Sequence, residues 1–273
     1  MRRRKRAVIA SVVVVVVVVA VAAGLYAFHR SSSSSPLKKF VQGGGGGGDS
    51  NAISIYAPSE LSKPLQLVTT TFQQENPGTT FQFTLGPSAD LKKRMGEGET
   101  PNLYIDSSSA TAQMPPKARP ASQPAAFGYD WVQLAVAHGN PKGVHDLGVF
   151  GGGDLITGIC APELLCGKAG AQALQGAGVT AAPKVVTSNV GELTDGLKSG
   201  RIDAVLLLRT DLRSVLTSIR TPPIPPGSNF RVDYQMLQLR RSGPSDQFIQ
   251  WVEGSPSARH ALRFSGMLSF YDG

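Results

Sequence analysis

Val185 to Asp211 reads VVTSNVGELTDGLKSGRIDAVLLLRTD. A short apolar strand comes first, then a helix start at Ser188/Asn189. Leu193 and Leu197 fall on one face of that helix, and Ser199-Gly200 stops it. AVLLL, Ala204 to Leu208, has no polar position, as expected of a strand covered on both sides. The unit is strand-helix-strand, the building block of a parallel sheet flanked by helices. Its helix begins with backbone N–H groups free of intrahelical partners, an arrangement that favours anions.

The same alternation runs outward from this unit. AISIY (Ala52–Tyr56), FQFTL (Phe81–Leu85) and NLYID (Asn102–Asp106) read as strands. Leu61, Leu65, Val68 and Phe72 mark a helix between the first two, with Ser59 or Ser62 as its cap. ADLKKRMGEG marks a second helix. A Pro-rich loop spans Thr111–Gln123, and WVQLAVAHGN and VDYQMLQL read as further strands. The C-terminal SDQFIQWVEGSPSARHALRFSGM reads as helix, turn, helix. In such sheets ligands sit beyond the carboxyl ends of the strands. The turns at Pro58–Leu61, Gly86–Ala89, residues 160–168 and Ser188–Val190 are therefore the candidate site.

The chain has 273 residues and a formal charge of +8. Residues 1–48 hold eight Lys/Arg and no acid, which leaves nineteen basic and nineteen acidic side chains in the remainder. A neutral body gives no electrostatic footprint for nucleic acid. Residues 1–6, MRRRKR, form a basic, cytoplasmic N-terminus. Residues 7–28 are apolar except for Ser11, long enough to cross a ~30 Å hydrocarbon layer. The basic flank places the rest of the chain outside. A signal peptide cleaved near Val21-Ala22-Ala23 is the competing reading. Its apolar core is usually only ~7–15 residues, so length favours a single-pass anchor. Serine and glycine runs make residues 29–51 a disordered linker. The expected location is the cell membrane, with the folded domain extracytoplasmic.

Cys160 and Cys166 are the only cysteines. In an oxidising compartment they are expected to pair, with two free buried thiols as the alternative. Closing so short a loop contributes about 2 kcal/mol. No Cys or His stands at zinc-like spacing, so no metal site is expected. His29, His138, His145 and His260 belong to no nucleophile-base motif, and GxSxG is absent. A hydrolase is therefore disfavoured. Trp131 and Trp251 lie in apolar patterns and read as core.

Six segments, in order, resemble the molybdate-type solute-binding proteins of ABC importers. They are YAPSEL from Tyr56, GPSADL from Gly86, PNLYIDS from Pro101, CAPELLCGKAGA from Cys160, SNVGELTDGLKSGRIDAVLLLRTDL from Ser188 and FIQWVEGSPSARHALRFSGM from Phe248. The resemblance covers most of residues 52–267. It implies a two-lobed type II periplasmic-binding fold, with residues 52–130 and 235–273 as lobe 1 and residues 131–234 as lobe 2. Hinges fall near Tyr129–Val132 and Val232–Gln235.

The resemblance also implies a bound oxyanion, molybdate or tungstate, and no cofactor. The partners implied are a small anionic solute and a membrane permease, and the chain is expected to be a monomer. Ser88 matches the family's second-turn serine, and Gly167 and Val190 match backbone N–H donors. Two positions depart. Glu60 stands where the family has its first-turn serine, with Ser59 one residue away, and Leu208 replaces a gripping tyrosine. A carboxylate a few Å from a dianion is repulsive by about a few kcal/mol at an effective dielectric near 20. Losing a charge-assisted donor costs roughly 1.5–3 kcal/mol more. Asp106 replaces a family serine, and with Asp90 it raises the number of acids expected near the cleft mouth to three. A binding-fold protein acting as a membrane-anchored sensor or interaction module, without transport, is the alternative.

Overall fold

The strand-helix-strand unit over Val185–Leu208 sits near one end of a long twisted sheet. The computed structural model describes residues 38–42 and 51–271. The expected basic N-terminus, the membrane span 7–28 and most of the linker lie outside the described residues. Among the described residues no helix is long and apolar enough to cross a membrane.

The strands are β1 (Lys38–Gln42), β2 (Ala52–Pro58), β3 (Thr80–Gly86), β4 (Leu103–Ser107), β5 (Ala125–Ala137), β6 (Thr157–Cys160), β7 (Val185–Thr187), β8 (Ala204–Leu208), β9 (Ile219–Arg220) and β10 (Arg231–Gln238). The helices are α1 (Ser62–Glu75), α2 (Ser88–Gly96), α3 (Ser108–Thr111), α4 (Leu165–Gly176), α5 (Val190–Lys198), α6 (Arg209–Leu212), α7 (Gly243–Gly254) and α8 (Pro256–Ser265). Across the sheet the order is β1-β3-β2-β4-β10-β5-β8-β6-β7, with β9 also on β5.

Strand β5 serves both halves of this sheet. Residues 125–131 pair antiparallel with β10. Residues 132–136 pair antiparallel with β8, Val132 opposite Leu208 and Val136 opposite Ala204. The chain passes from one half to the other along β5 and returns along β10. At thirteen residues β5 begins earlier than the sequence pattern suggested. Beyond it, β2 lies parallel to β3 and β4, and β6 lies parallel to β7 and β8.

Apolar burial on both faces explains why these runs are strands. All five residues of β8 are buried, covered by Ala169 and Ala173 of α4 and by Leu193 and Leu197 of α5. Each leucine so buried contributes about 1.5–3 kcal/mol. In the other half, Phe72 of α1 meets Phe81, Phe248 and Trp251 edge-on, at centroid distances of 6.0, 5.1 and 5.3 Å. Trp251, expected as core, is half-buried and packs against this cluster from its edge, its indole N–H donating to Glu75.

The linker expected over 29–51 needs a correction. Lys38–Gln42 is a strand that pairs antiparallel with β3, Lys38 opposite Leu85 and Gln42 opposite Phe81. A sheet edge offers a row of unpaired N–H and C=O groups, and a short neighbouring segment can add to it.

Candidate functional site

Six strand-to-helix turns lie at the carboxyl ends of the parallel strands. They follow β2, β3, β4, β6, β7 and β8, and five of them open α2, α3, α4, α5 and α6. The sixth, after β2, is a single 3-10 turn, Ser59–Leu61, that runs into α1. Two cavities lie against these turns. The first, about 430 Å3, is lined by Ser59, Glu60 and Lys63 from one half, and by Val190, Leu208 and Asp211 from the other. The second, about 680 Å3, is lined by Glu60, Ser88, Lys92 and Asp106, with Glu163 and Lys168 from across the cleft. Ser59, Glu60, Leu164 and Leu165 line both cavities.

Five of the six site residues picked out from sequence therefore line the cleft: Ser59, Glu60, Ser88, Val190 and Leu208. Gly167 does not. It is buried in the first turn of α4, pressed against the backbone of Ala161. Asp90 lines neither cavity, whereas Asp106 does. Sequence reasoning missed Asp211, Glu163 and the three lysines Lys63, Lys92 and Lys168. Asp211 had a readable signal, an acid in the first helical turn after a buried strand.

The expected caps are not formed by side chains. Pro58 precedes the 3-10 turn and Leu61 precedes α1, and neither gives a side-chain cap. Asn189 precedes α5 without a side-chain cap. The Ser188 hydroxyl instead donates to Glu163 across 2.8 Å. Thr187 Oγ1 accepts from Asn189 N–H and donates to Glu192. The polar side chains at this helix start are thus tied to neighbouring acids and loops.

Cys160 and Cys166 are disulfide-bonded, with Cα atoms 5.8 Å apart. The bond ties the end of β6 to the first turn of α4, on the wall of the first cavity. Among the described residues there is no cluster of three or more metal-ligating side chains.

Glu60, Asp106, Glu163 and Asp211 line the two cavities alongside Lys63, Lys92 and Lys168, and Asp130 lies buried beside Thr210. Asp106 is 2% exposed and accepts from the Tyr104 hydroxyl and from Ser107 N–H at 2.7 Å. Asp130 is 1% exposed and accepts from Trp131 N–H, Thr210 N–H and the Thr210 hydroxyl at 2.7, 3.2 and 2.7 Å. Asp211 accepts from Leu208 N–H at 3.2 Å.

Burial pushes the Asp130 carboxyl up to about 6, against the opposing pull of the Thr210 and Trp131 hydrogen bonds. Burial, helped by Asp130 and Glu60, pushes Asp211 up to about 7, while the Leu208 N–H and Lys63 oppose. Glu60 keeps an exposed side chain, yet cavity walls on both sides displace bulk water from it. That desolvation raises its carboxyl. Its own backbone N–H opposes the shift, Asp106 adds to it and Lys168 counters it.

The match to known proteins agrees with this architecture. The profile of bacterial extracellular solute-binding proteins fits residues 53–268, and the chain belongs to that family. It is 24% identical over 216 residues to the molybdate-binding protein ModA of Mycobacterium bovis, covering 77% of this chain and 82% of the relative. The sulfate-binding protein SubI of Mycobacterium tuberculosis superposes with a TM-score of 0.62 at 14% identity, covering 81% of this chain and 88% of that one. The periplasmic molybdate-binding protein of Azotobacter vinelandii gives 0.59 at 17% identity, over 79% and 98%. These superpositions show a shared fold, the mixed α/β fold of periplasmic binding proteins. Membership of a solute-binding family supports binding over catalysis.

Proposed function

We propose that the protein is the extracytoplasmic solute-binding component of an ABC importer, anchored through residues 7–28. One observation carries this reading. Both halves of the sheet line the same two cavities, and β5 and β10 carry the chain between the halves. Such a construction closes by bending at the crossings, here Tyr129–Val132 and Val232–Gln235. Lobe 1 is residues 52–130 with 235–273, and lobe 2 is residues 131–234. Closure follows from the solute's greater affinity for the closed state.

The ligand groups in this reading are Ser88, Val190 and Ser59, while Gly167, expected as a backbone donor, lies outside both cavities. The molybdate or tungstate implied by resemblance meets Glu60 where a hydroxyl would stand, and Leu208 offers no donor. The mechanism of the fold is therefore carried over, and the solute is left to the cleft's own chemistry.

A ligand that binds only the folded state stabilises it by about 2.7 kcal/mol at a hundredfold excess over its Kd. Thermal melting of the full chain against molybdate, tungstate, sulfate and a broad panel of sugars, acids and amines is expected to show a concentration-dependent rise for at least one solute. A flat response across the whole panel would sink the reading. The departures at Glu60 and Leu208 favour a second reading, a membrane-anchored sensor. There, the solute raises the melting temperature but deleting the protein leaves cellular uptake of that solute unchanged.

A further inference from the structure

Glu60 stands on the wall common to both cavities, where a solute in either one meets it. Asp211 lines the first cavity and Asp106 the second, and Asp130 lies buried beside Thr210, which also lines the first. Among the described residues none of these four carboxylates has a Lys or Arg within ion-pair distance. Their hydrogen bonds come from hydroxyl and backbone donors, which spread charge without cancelling it. Lys63, Lys92 and Lys168 also line the cavities, but none of the three lies within ion-pair distance of Glu60. Asp106 and Asp130 are buried and Asp211 is half-buried, and a carboxylate withdrawn from water is costly until an opposite charge arrives.

The remaining lining narrows the kind of cation. Among the described residues no aromatic ring lines either cavity, so these walls offer no cage for a quaternary ammonium. Acceptors are plentiful: Ser59, Thr210, Ser214 and Ser265 present hydroxyls in the first cavity, and Ser107 and Ser109 in the second. A cation with N–H donors satisfies both the charge and these oxygens.

We propose that the cleft takes a small solute bearing an ammonium or guanidinium group, with Glu60 as its counter-ion, in place of an oxyanion. This rests on the solute-binding reading and names its solute class.

Isothermal titration of the full chain at pH 7.5 with putrescine, arginine, choline, molybdate and maltose tests it. Putrescine or arginine is expected to bind, at least tenfold more weakly to Glu60→Gln, while choline, molybdate and maltose give no heat. Glu60→Asp keeps the charge and is expected to retain more affinity than Glu60→Gln. Circular dichroism checks that both variants fold. Heat from molybdate or maltose alone overturns the proposal, as does choline binding as tightly as putrescine, or amine binding indifferent to Glu60→Gln. Silence from all five probes also overturns it. If another solute then raises the melting temperature, the solute-binding reading stands. If none does, both fall.

Discussion

Gly167 is a glycine because of what its Cα faces. A Cβ built there would lie 2.1 Å from the Ala161 carbonyl oxygen and 2.8 Å from that of Cys160. Both are backbone atoms held by the disulfide loop, so neither can swing aside. Gly167→Ala is therefore expected to destabilise the protein by about 1–3 kcal/mol, the usual cost of forcing an extra carbon into a filled site. At this chain length that lowers the melting temperature by roughly 2–4 °C per kcal/mol. An unchanged melt would show that the α4 start does not press on Ala161. The glycine was legible in the sequence as a special position, but its reason was not. The motif pointed to a ligand donor, whereas the close approach comes from a fold-back of Ala161 that no local pattern encodes. Leu208 and Glu60 were legible in the other sense, because a fixed strand end and a fixed turn put them at the cleft whatever their chemistry.

Elements were read most securely where burial is complete. AVLLL and FQFTL are strands because each has helices or sheet to cover it, and Gly200, at φ +72°, stops α5 where an L side chain would be strained. Two things escaped. The strand β1 depends on an edge that belongs to β3, some forty residues away, and the Ser/Gly runs around it disguise it. The caps at Ser188 and Ser59 failed because their side chains have other partners or geometry, a tertiary outcome. The disulfide acts at this same scale, stapling β6 to α4 over a separation of six residues. Replacing both Cys160 and Cys166 by alanine is expected to cost about 2 kcal/mol, from freed loop entropy in the unfolded chain. A urea titration reads this as a lower midpoint with little change in slope. A midpoint that does not move would mean that the loop is held without the bond.

At the scale of the whole molecule, the passage between the sheet halves is also where charge is buried. Asp130 sits where β5 leaves β10 for β8, and its carboxylate takes two hydrogen bonds from Thr210 of α6 in the second half. Desolvation outweighs these bonds, so the folded-state value lies near 6 against 3.8 for a free aspartate. Asp211, half-buried beside it, lies near 7. Below pH 3.8 folded and unfolded chains both carry these protons. Between 3.8 and 6–7 the folded chain holds protons that the unfolded chain has released, so stability falls as pH rises. Above about 7 the two states again carry equal numbers from these groups and the curve flattens. Glu60, raised in the same direction, steepens the fall. The slope for Asp130 alone approaches about 1.4 kcal/mol per pH unit within its window. Urea midpoints measured from pH 5 to pH 8 are expected to decline and then level, and Asp211→Asn is expected to remove the upper part of the decline. A midpoint that rises from pH 5 to pH 7 would mean that the Thr210 and Trp131 hydrogen bonds win over burial. Asp130 would then be ionised throughout, and the crossing would be held by a charged anchor.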